Sequence, residues 1–96
     1  MQRALIVLTS VDTLGSTGKK TGYYLPEVSH VYAPLADAGF AIDFVSPKGG
    51  HAPVDPSSVK LDDPMNARIW NDPAIRAQLA ATLRPEDVDP SRYSVV

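Results

Sequence analysis

Cysteine is missing from the 96 residues of this sequence. Its absence excludes disulfides, thiolate metal sites and thiol nucleophiles, so covalent catalysis by this chain alone would need Ser, Thr, Lys or a carboxylate. Histidine is scarce as well, since only His30 and His51 are present. A zinc site needs three or four donors, and we therefore expect no metal ion to be bound.

The sequence also lacks long hydrophobic runs and an excess of charge of either sign. The longest apolar run, residues 4–8, is far shorter than the roughly 20 residues that span a bilayer, and no signal-peptide pattern follows Met1. Nine basic and eleven acidic residues leave a net charge of -2, which indicates no polyanionic partner. We expect a cytoplasmic protein of at most one domain, over residues 1–96, with no nucleic-acid or membrane partner.

The first half of the sequence predicts a strand, a helix and a second strand. Residues 4–10 form a short apolar run with β-branched members, which is typical of a strand buried on both faces. Residues 27–38 place apolar side chains at helical spacing, and residues 41–47 predict the next strand. This order predicts a βαβ unit with parallel strands. Gly39 is expected in the left-handed conformation after the helix, and Pro34 should kink or loosen it.

The second half has weaker patterns. Residues 48–64 are rich in Pro, Gly, Asp and Ser and predict an ordered excursion without regular structure. A stripe of Ile and Leu side chains that ends at Leu83 predicts one helix over about residues 71–82, with Asp72 as its N-cap. Residues 92–96 begin like a further strand, and the sequence ends after its second consecutive valine.

A polar, glycine-rich loop is expected at residues 11–22, after the first strand. Its Gly18 and Lys19 match part of a phosphate-binding P-loop, which also requires a glycine five residues before Gly18 and a hydroxyl after the lysine. Those two positions are occupied by Thr13 and Lys20. We therefore expect a solvated basic loop that does not bind nucleotides.

Glu27 and His30 are the candidate catalytic residues. Residues three apart on a helix share a face, so the two side chains could form an acid/base pair. The alternative is structural: a glutamate in the first turn complements the helix dipole, and a histidine on a partly apolar face is often simply packed and hydrogen-bonded. Spacing alone leaves both interpretations open.

Several motifs resemble one known family. They are residues 21–30 (TGYYLPEVSH), 38–40 (AGF), 46–50 (SPKGG) and 53–57 (PVDPS), together with Tyr93 before the terminal strand. They resemble the N-terminal half of the ThiJ/PfpI superfamily, and within it the branch of glutathione-independent glyoxalase III enzymes and heat-shock chaperones. The resemblance implies an α/β fold, a flavodoxin-like three-layer sandwich with a parallel sheet, here incomplete. It implies no cofactor.

The resemblance also assigns roles to both candidate residues. Glu27 matches the family's glutamate at the bottom of the active-site pocket, which contacts a nucleophilic cysteine on a strand-to-helix elbow later in the chain. His30 matches a motif position too, although family members often have proline next, where this sequence has Val31. A carboxyl group beside a thiol can share its proton and move it during addition to a carbonyl.

The missing cysteine limits what this chain can do alone. The resemblance implies conversion of a 2-oxoaldehyde such as methylglyoxal to a 2-hydroxy acid, with the cysteine supplied by a C-terminal complementing chain in a homo- or hetero-oligomer. One alternative is a non-enzymatic stress-response chaperone module, and another is an inactive truncated fragment. A third, a class I glutamine-amidotransferase-like hydrolase, would share the fold but has no ammonia acceptor indicated by the sequence.

Overall fold

The structure is a computed structural model that describes residues 2–13 and 15–96. Two residues lie outside the described part: Met1 and Leu14, the latter within the predicted loop at residues 11–22. Within the described part, no helix has both the length and the apolar character needed to cross a membrane.

Two parallel strands and the helix between them form the centre of the fold. Strand β1 (Arg3–Val7) pairs in parallel with strand β2 (Ala41–Val45), and helix α1 (Leu25–Asp37) connects them. The predicted βαβ unit is therefore confirmed. Both strands are shorter than the predicted strand segments at residues 4–10 and 41–47. After the strands, Leu8 N–H donates to the Val45 carbonyl and Ser46 N–H donates to the Leu83 carbonyl.

Helix α1 begins two residues before the predicted start and runs through its internal proline. Leu25 and Pro26 occupy its first turn, where the missing proline N–H would have had no helical partner anyway. The assigned helix continues without a break past Pro34 to Asp37. Gly39 follows with φ +89°, which confirms the predicted left-handed residue after the helix.

The predicted helix over about residues 71–82 is confirmed as helix α3 (Pro73–Ala80). A further short helix, α2 (Pro64–Trp70), precedes it at residues where no separate helix was predicted. Each starts with proline after an aspartate, and the Asp63 and Asp72 side chains each accept two backbone N–H bonds of the following helix. A residue before proline disfavours helical dihedrals, so Asp72 is extended and separates the helices. Its predicted N-cap role is confirmed.

Single bridges extend the sheet on both sides. Leu83, predicted to belong to the helical stripe, instead pairs in parallel with Val45 on the outer edge of β2. Val95 pairs in parallel with Ala4 on the other edge of β1, with Leu5 N–H donating to the Val95 carbonyl at 2.9 Å. The predicted strand at residues 92–96 is therefore present only as one bridge.

The two faces of the sheet pack against different parts of the chain. One face carries the buried core, in which side chains of both strands pack with those of all three helices: Ala4, Leu8, Ile42, Phe44, Val28, Ile69 and Leu79. On the other face, the Tyr93 hydroxyl and Arg3 both donate to Asp43. Val7 at the end of β1 is 61% exposed on this face, whereas Leu5 and Val45 on the same face are buried.

Residues 48–64 were predicted to have no regular structure, and most of them have none. A single 3-10 turn, Pro56–Ser58, interrupts the excursion. Val54 forms a parallel bridge with Tyr23, just before α1. The excursion therefore lies against the residues that lead into α1.

Candidate functional site

The carboxyl end of β1 is the place in the sheet where a ligand would be expected. Strand β2 lies on one edge of β1 and Val95 on the other. The chain therefore moves outward from β1 to β2 and Leu83 and then returns to the opposite side of β1. In open parallel sheets, ligands bind outside the carboxyl ends of the strands at such a switch point. A pocket of about 320 Å³ lies here, lined by Ile6, Val7, Leu8, Thr9, Gly22, Tyr23, Tyr24, Glu27 and Val28.

Glu27 projects from the first turn of α1 into this pocket. It also lines a neighbouring groove of about 370 Å³, together with Val31 on α1 and with Val95 and Val96 beside β1. Within residues 2–13 and 15–96, its carboxylate has no hydrogen-bond or ion-pair partner. The carboxylate is therefore free to accept a hydrogen bond or a proton from a group that enters the pocket.

His30 lies elsewhere. It is not among the residues that line the pocket or the groove of Glu27, and its Nε2 is 2.7 Å from Oδ2 of Asp63 at the start of α2. The hydrogen bond from His30, aided by backbone N–H groups of α2, holds the pKa of Asp63 below its ordinary value. The structure therefore joins His30 to α2 rather than to Glu27, and a catalytic role for either residue stays a prediction.

Two tyrosines and a threonine beside Glu27 were not predicted as site residues. Tyr23 is buried, and burial raises the pKa of its hydroxyl. Tyr24 is exposed at the pocket, and Thr9 follows β1. In the sequence, Tyr23 and Tyr24 stand out only because they belong to the motif at residues 21–30, and Thr9 only because it follows a predicted strand. Neither position shows that a side chain lines a pocket, because that depends on how the segments pack.

The remaining histidine and the lysines of the basic loop do not line the pocket that contains Glu27. No cluster of three or more His, Asp or Glu side chains suited to a metal ion occurs in the part of the chain that the structure describes. His51 is exposed and lines a separate pocket with Asp12 and Lys20. Lys19 and Lys20 are exposed after the 3-10 turn Gly15–Thr17.

Comparison with known proteins gives matches only among solved structures. No protein-family model matches the chain, and no curated protein matches it. The 24 kDa Rapid Encystment Protein of Francisella tularensis is 33% identical, with a TM-score of 0.88 over 99% of this chain and 43% of its own. Glyoxalase III of Candida albicans is 28% identical, with a TM-score of 0.76 over 96% of this chain and 40% of its own.

These similarities define the class of fold and the superfamily fold that the chain shares. The parallel sheet, its helices and the matches to these structures make the chain an incomplete flavodoxin-like α/β fold. The chain has the N-terminal part of a ThiJ/PfpI superfamily fold, as its motifs predicted. It spans less than half the length of either solved protein.

Proposed function

We propose that this chain is the N-terminal part of a ThiJ/PfpI enzyme that resembles glyoxalase III and converts a 2-oxoaldehyde to a 2-hydroxy acid. The observation that carries the proposal is the unpaired carboxylate of Glu27 in a pocket at the carboxyl end of β1. The similarity to a glyoxalase III over 96% of this chain supports it. We place the enzyme in the cytoplasm as part of the same proposal.

The proposed reaction needs a thiol and a group that moves protons. A cysteine thiolate adds to the aldehyde carbon, and Glu27 accepts the thiol proton and returns it to the new oxyanion, which gives a hemithioacetal. A proton shift then oxidises the former aldehyde carbon and reduces the neighbouring ketone carbon, leaving a thioester. Water hydrolyses the thioester and releases the hydroxy acid and the thiol. Because the oxidation is internal, the reaction consumes only water.

The cysteine has to come from outside this chain, which contains none. We propose a C-terminal complement, either further sequence or a partner chain, that packs against the exposed Val7 side chain and beside the free edge at Val96. Both side chains are exposed, and more than half of each similar structure has no counterpart here. This chain and its complement together, as a homo- or hetero-oligomer, form the assembled enzyme.

The test is Glu27→Gln in the assembled enzyme. We expect turnover of methylglyoxal to lactate to fall by about 10² to 10⁴, the usual contribution of a positioned acid/base group. Glu86→Gln is the matched control, because Glu86 is exposed and paired with Arg84 instead. Turnover of Glu27→Gln within threefold of the parent would remove Glu27 from the mechanism.

A chaperone module is the second candidate, and the apolar groove favours it. Val31 and Val96 are exposed and line the groove beside β1, and such a surface can bind unfolded chains. Suppression of client aggregation that is lost in Val31→Lys but kept in Glu27→Gln would support this candidate. Native mass spectrometry that finds a copurifying polypeptide with a cysteine would support the enzyme instead.

A further inference from the structure

The start of α1 is capped from a distant part of the chain. Tyr24, at the N-cap position, makes no side-chain hydrogen bond to the helix. Instead, the Leu25 N–H donates to Ser58 Oγ at 2.9 Å, and the Ser58 hydroxyl donates its own proton to the Asp55 carbonyl at 2.6 Å. A hydroxyl has one proton and two lone pairs, so this orientation leaves a lone pair for Leu25. Ser58 is only 1% exposed, which shields both bonds from water.

The residues before α1 are held by the same segment, residues 53–58. Tyr23 N–H donates to the Pro53 carbonyl and Asp55 N–H donates to the Tyr23 carbonyl, both at 2.8 Å. A Cβ on Gly22 would lie 2.1 Å from the Pro53 carbonyl oxygen, so only glycine allows this close approach. Thr21 Oγ1 adds a hydrogen bond to Asp55 at 3.2 Å. The backbone that leads into the pocket is therefore fixed to residues 53–58.

The geometry points to Ser58 as a positioning residue for Glu27, an inference that rests on the proposed function. Glu27 lies two residues after Leu25 and its N–H donates to the Tyr24 carbonyl at 3.0 Å, so its backbone belongs to the turn that Ser58 caps. Ser58 does not line the pocket and acts only through the backbone. Misplacement of a reacting group by about 1 Å can cost about 10²-fold in rate.

The test is Ser58→Ala in the assembled enzyme, with kinetics corrected for the folded fraction. We expect kcat to fall by about 10- to 100-fold, KM to change by less than about threefold, and the pH profile of kcat to change, because proton transfer becomes less efficient. Hydrogen exchange at the Leu25 amide should accelerate by about 5- to 30-fold, as for a lost helix cap. Ser58→Thr, which keeps the hydroxyl, should restore both kcat and the slow hydrogen exchange at the Leu25 amide.

The matched control is Ser46→Ala. Ser46 is also a fully buried serine, and its hydroxyl shares a hydrogen bond with Thr82 at 2.7 Å, but none of its hydrogen bonds reaches α1. We expect a comparable loss of stability without faster exchange at Leu25 and without a changed pH profile. This control separates positioning from a general loss of stability.

The outcomes separate this inference from the proposed function. If the assembled enzyme does not convert 2-oxoaldehydes, the function fails, and exchange at the Leu25 and Glu27 amides still tests the positioning role. Unchanged exchange at both amides in Ser58→Ala overturns that role. It is also overturned if kcat of Ser58→Ala stays within threefold of the parent while Glu27→Gln lowers it 100-fold.

Discussion

At the scale of single residues, Asp43 links three parts of the chain. Its Oδ2 accepts hydrogen bonds from Arg3 at 2.9 Å and from the Tyr93 hydroxyl at 2.7 Å. Burial alone would raise the pKa of Asp43, but these hydrogen bonds and the charge of Arg3 outweigh it and hold the pKa below 3.8. The ionised form of Asp43 therefore joins β1, β2 and the segment that leads to Val95.

This shift predicts how stability depends on pH. Because the folded-state pKa lies below the unfolded value of 3.8, the stabilisation is present at neutral pH and is lost as the pH falls from about 4 through the folded-state pKa. Asp43→Asn should therefore lower the urea midpoint of the assembled enzyme at pH 7, and the difference from the parent should shrink towards pH 3.

The control for this measurement is Asp62→Asn, which changes an exposed aspartate whose carboxylate has no partner among the described residues. Its urea midpoint should follow that of the parent at every pH. A difference between Asp43→Asn and the parent that stays constant from pH 7 to pH 3 would contradict the proposed role of the ionised carboxylate.

At the scale of elements, the aspartates before α2 and α3 decide where these helices begin. Asp72 Oδ1 accepts from the backbone N–H groups of Ala74 and Ile75 at 2.9 and 3.3 Å. Asp63 does the same for α2 and also bonds His30 on α1. The cap of α3 is therefore purely local, whereas the cap of α2 also joins two helices.

The local cap can be tested by substitution. Asp72→Ala should lower the free energy of unfolding by about 1 kcal/mol, the usual contribution of an N-cap side chain. Asp72→Asn, which keeps an acceptor oxygen, should stay within about 0.5 kcal/mol of the parent. Urea denaturation of the assembled enzyme measures both, and equal losses in the two variants would show that the carboxylate charge, not the cap, matters.

At the scale of the whole molecule, exposed apolar side chains occur at the end of β1 and along its open edge. Val7 is 61% exposed and Val96 is 78% exposed, and Val95 leaves an open edge beyond its single bridge to β1. Unpaired strand edges readily recruit another chain, and each Å² of buried apolar surface favours association by roughly 25 cal/mol. Both features favour contact with a second polypeptide.

We therefore predict that residues 1–96 expressed alone will not remain monomeric. Sedimentation velocity should find self-associated or aggregated species, and adding the proposed complement should replace them with a defined complex. Val7→Lys should raise the monomeric fraction, whereas Lys60→Ala, at an exposed position, should not. A monodisperse monomer with a cooperative thermal transition would show that these residues are a self-sufficient domain.

Part of this architecture could be predicted from local patterns. The apolar runs predicted both strands, helical spacing predicted α1, and the glycine after it predicted the left-handed residue Gly39. Asp72 before a proline predicted an N-cap correctly. The same pair of residues, Asp63 and Pro64, begins α2, but the stripe of Ile and Leu side chains does not show that Ile69 belongs to a separate helix.

The sequence by itself determined the βαβ unit, the N-cap of α3 at Asp72 and the resemblance to the ThiJ/PfpI fold, because these depend on residues close together in the chain or on motifs of fixed spacing. Only the tertiary structure decided the surroundings of the site. His30 is hydrogen-bonded to Asp63 and Leu25 to Ser58, and the partners in each pair are 33 residues apart in the sequence. In addition, Val95 pairs with the second edge of β1. Such contacts depend on how segments pack after the chain has turned back on itself, and no local periodicity encodes that.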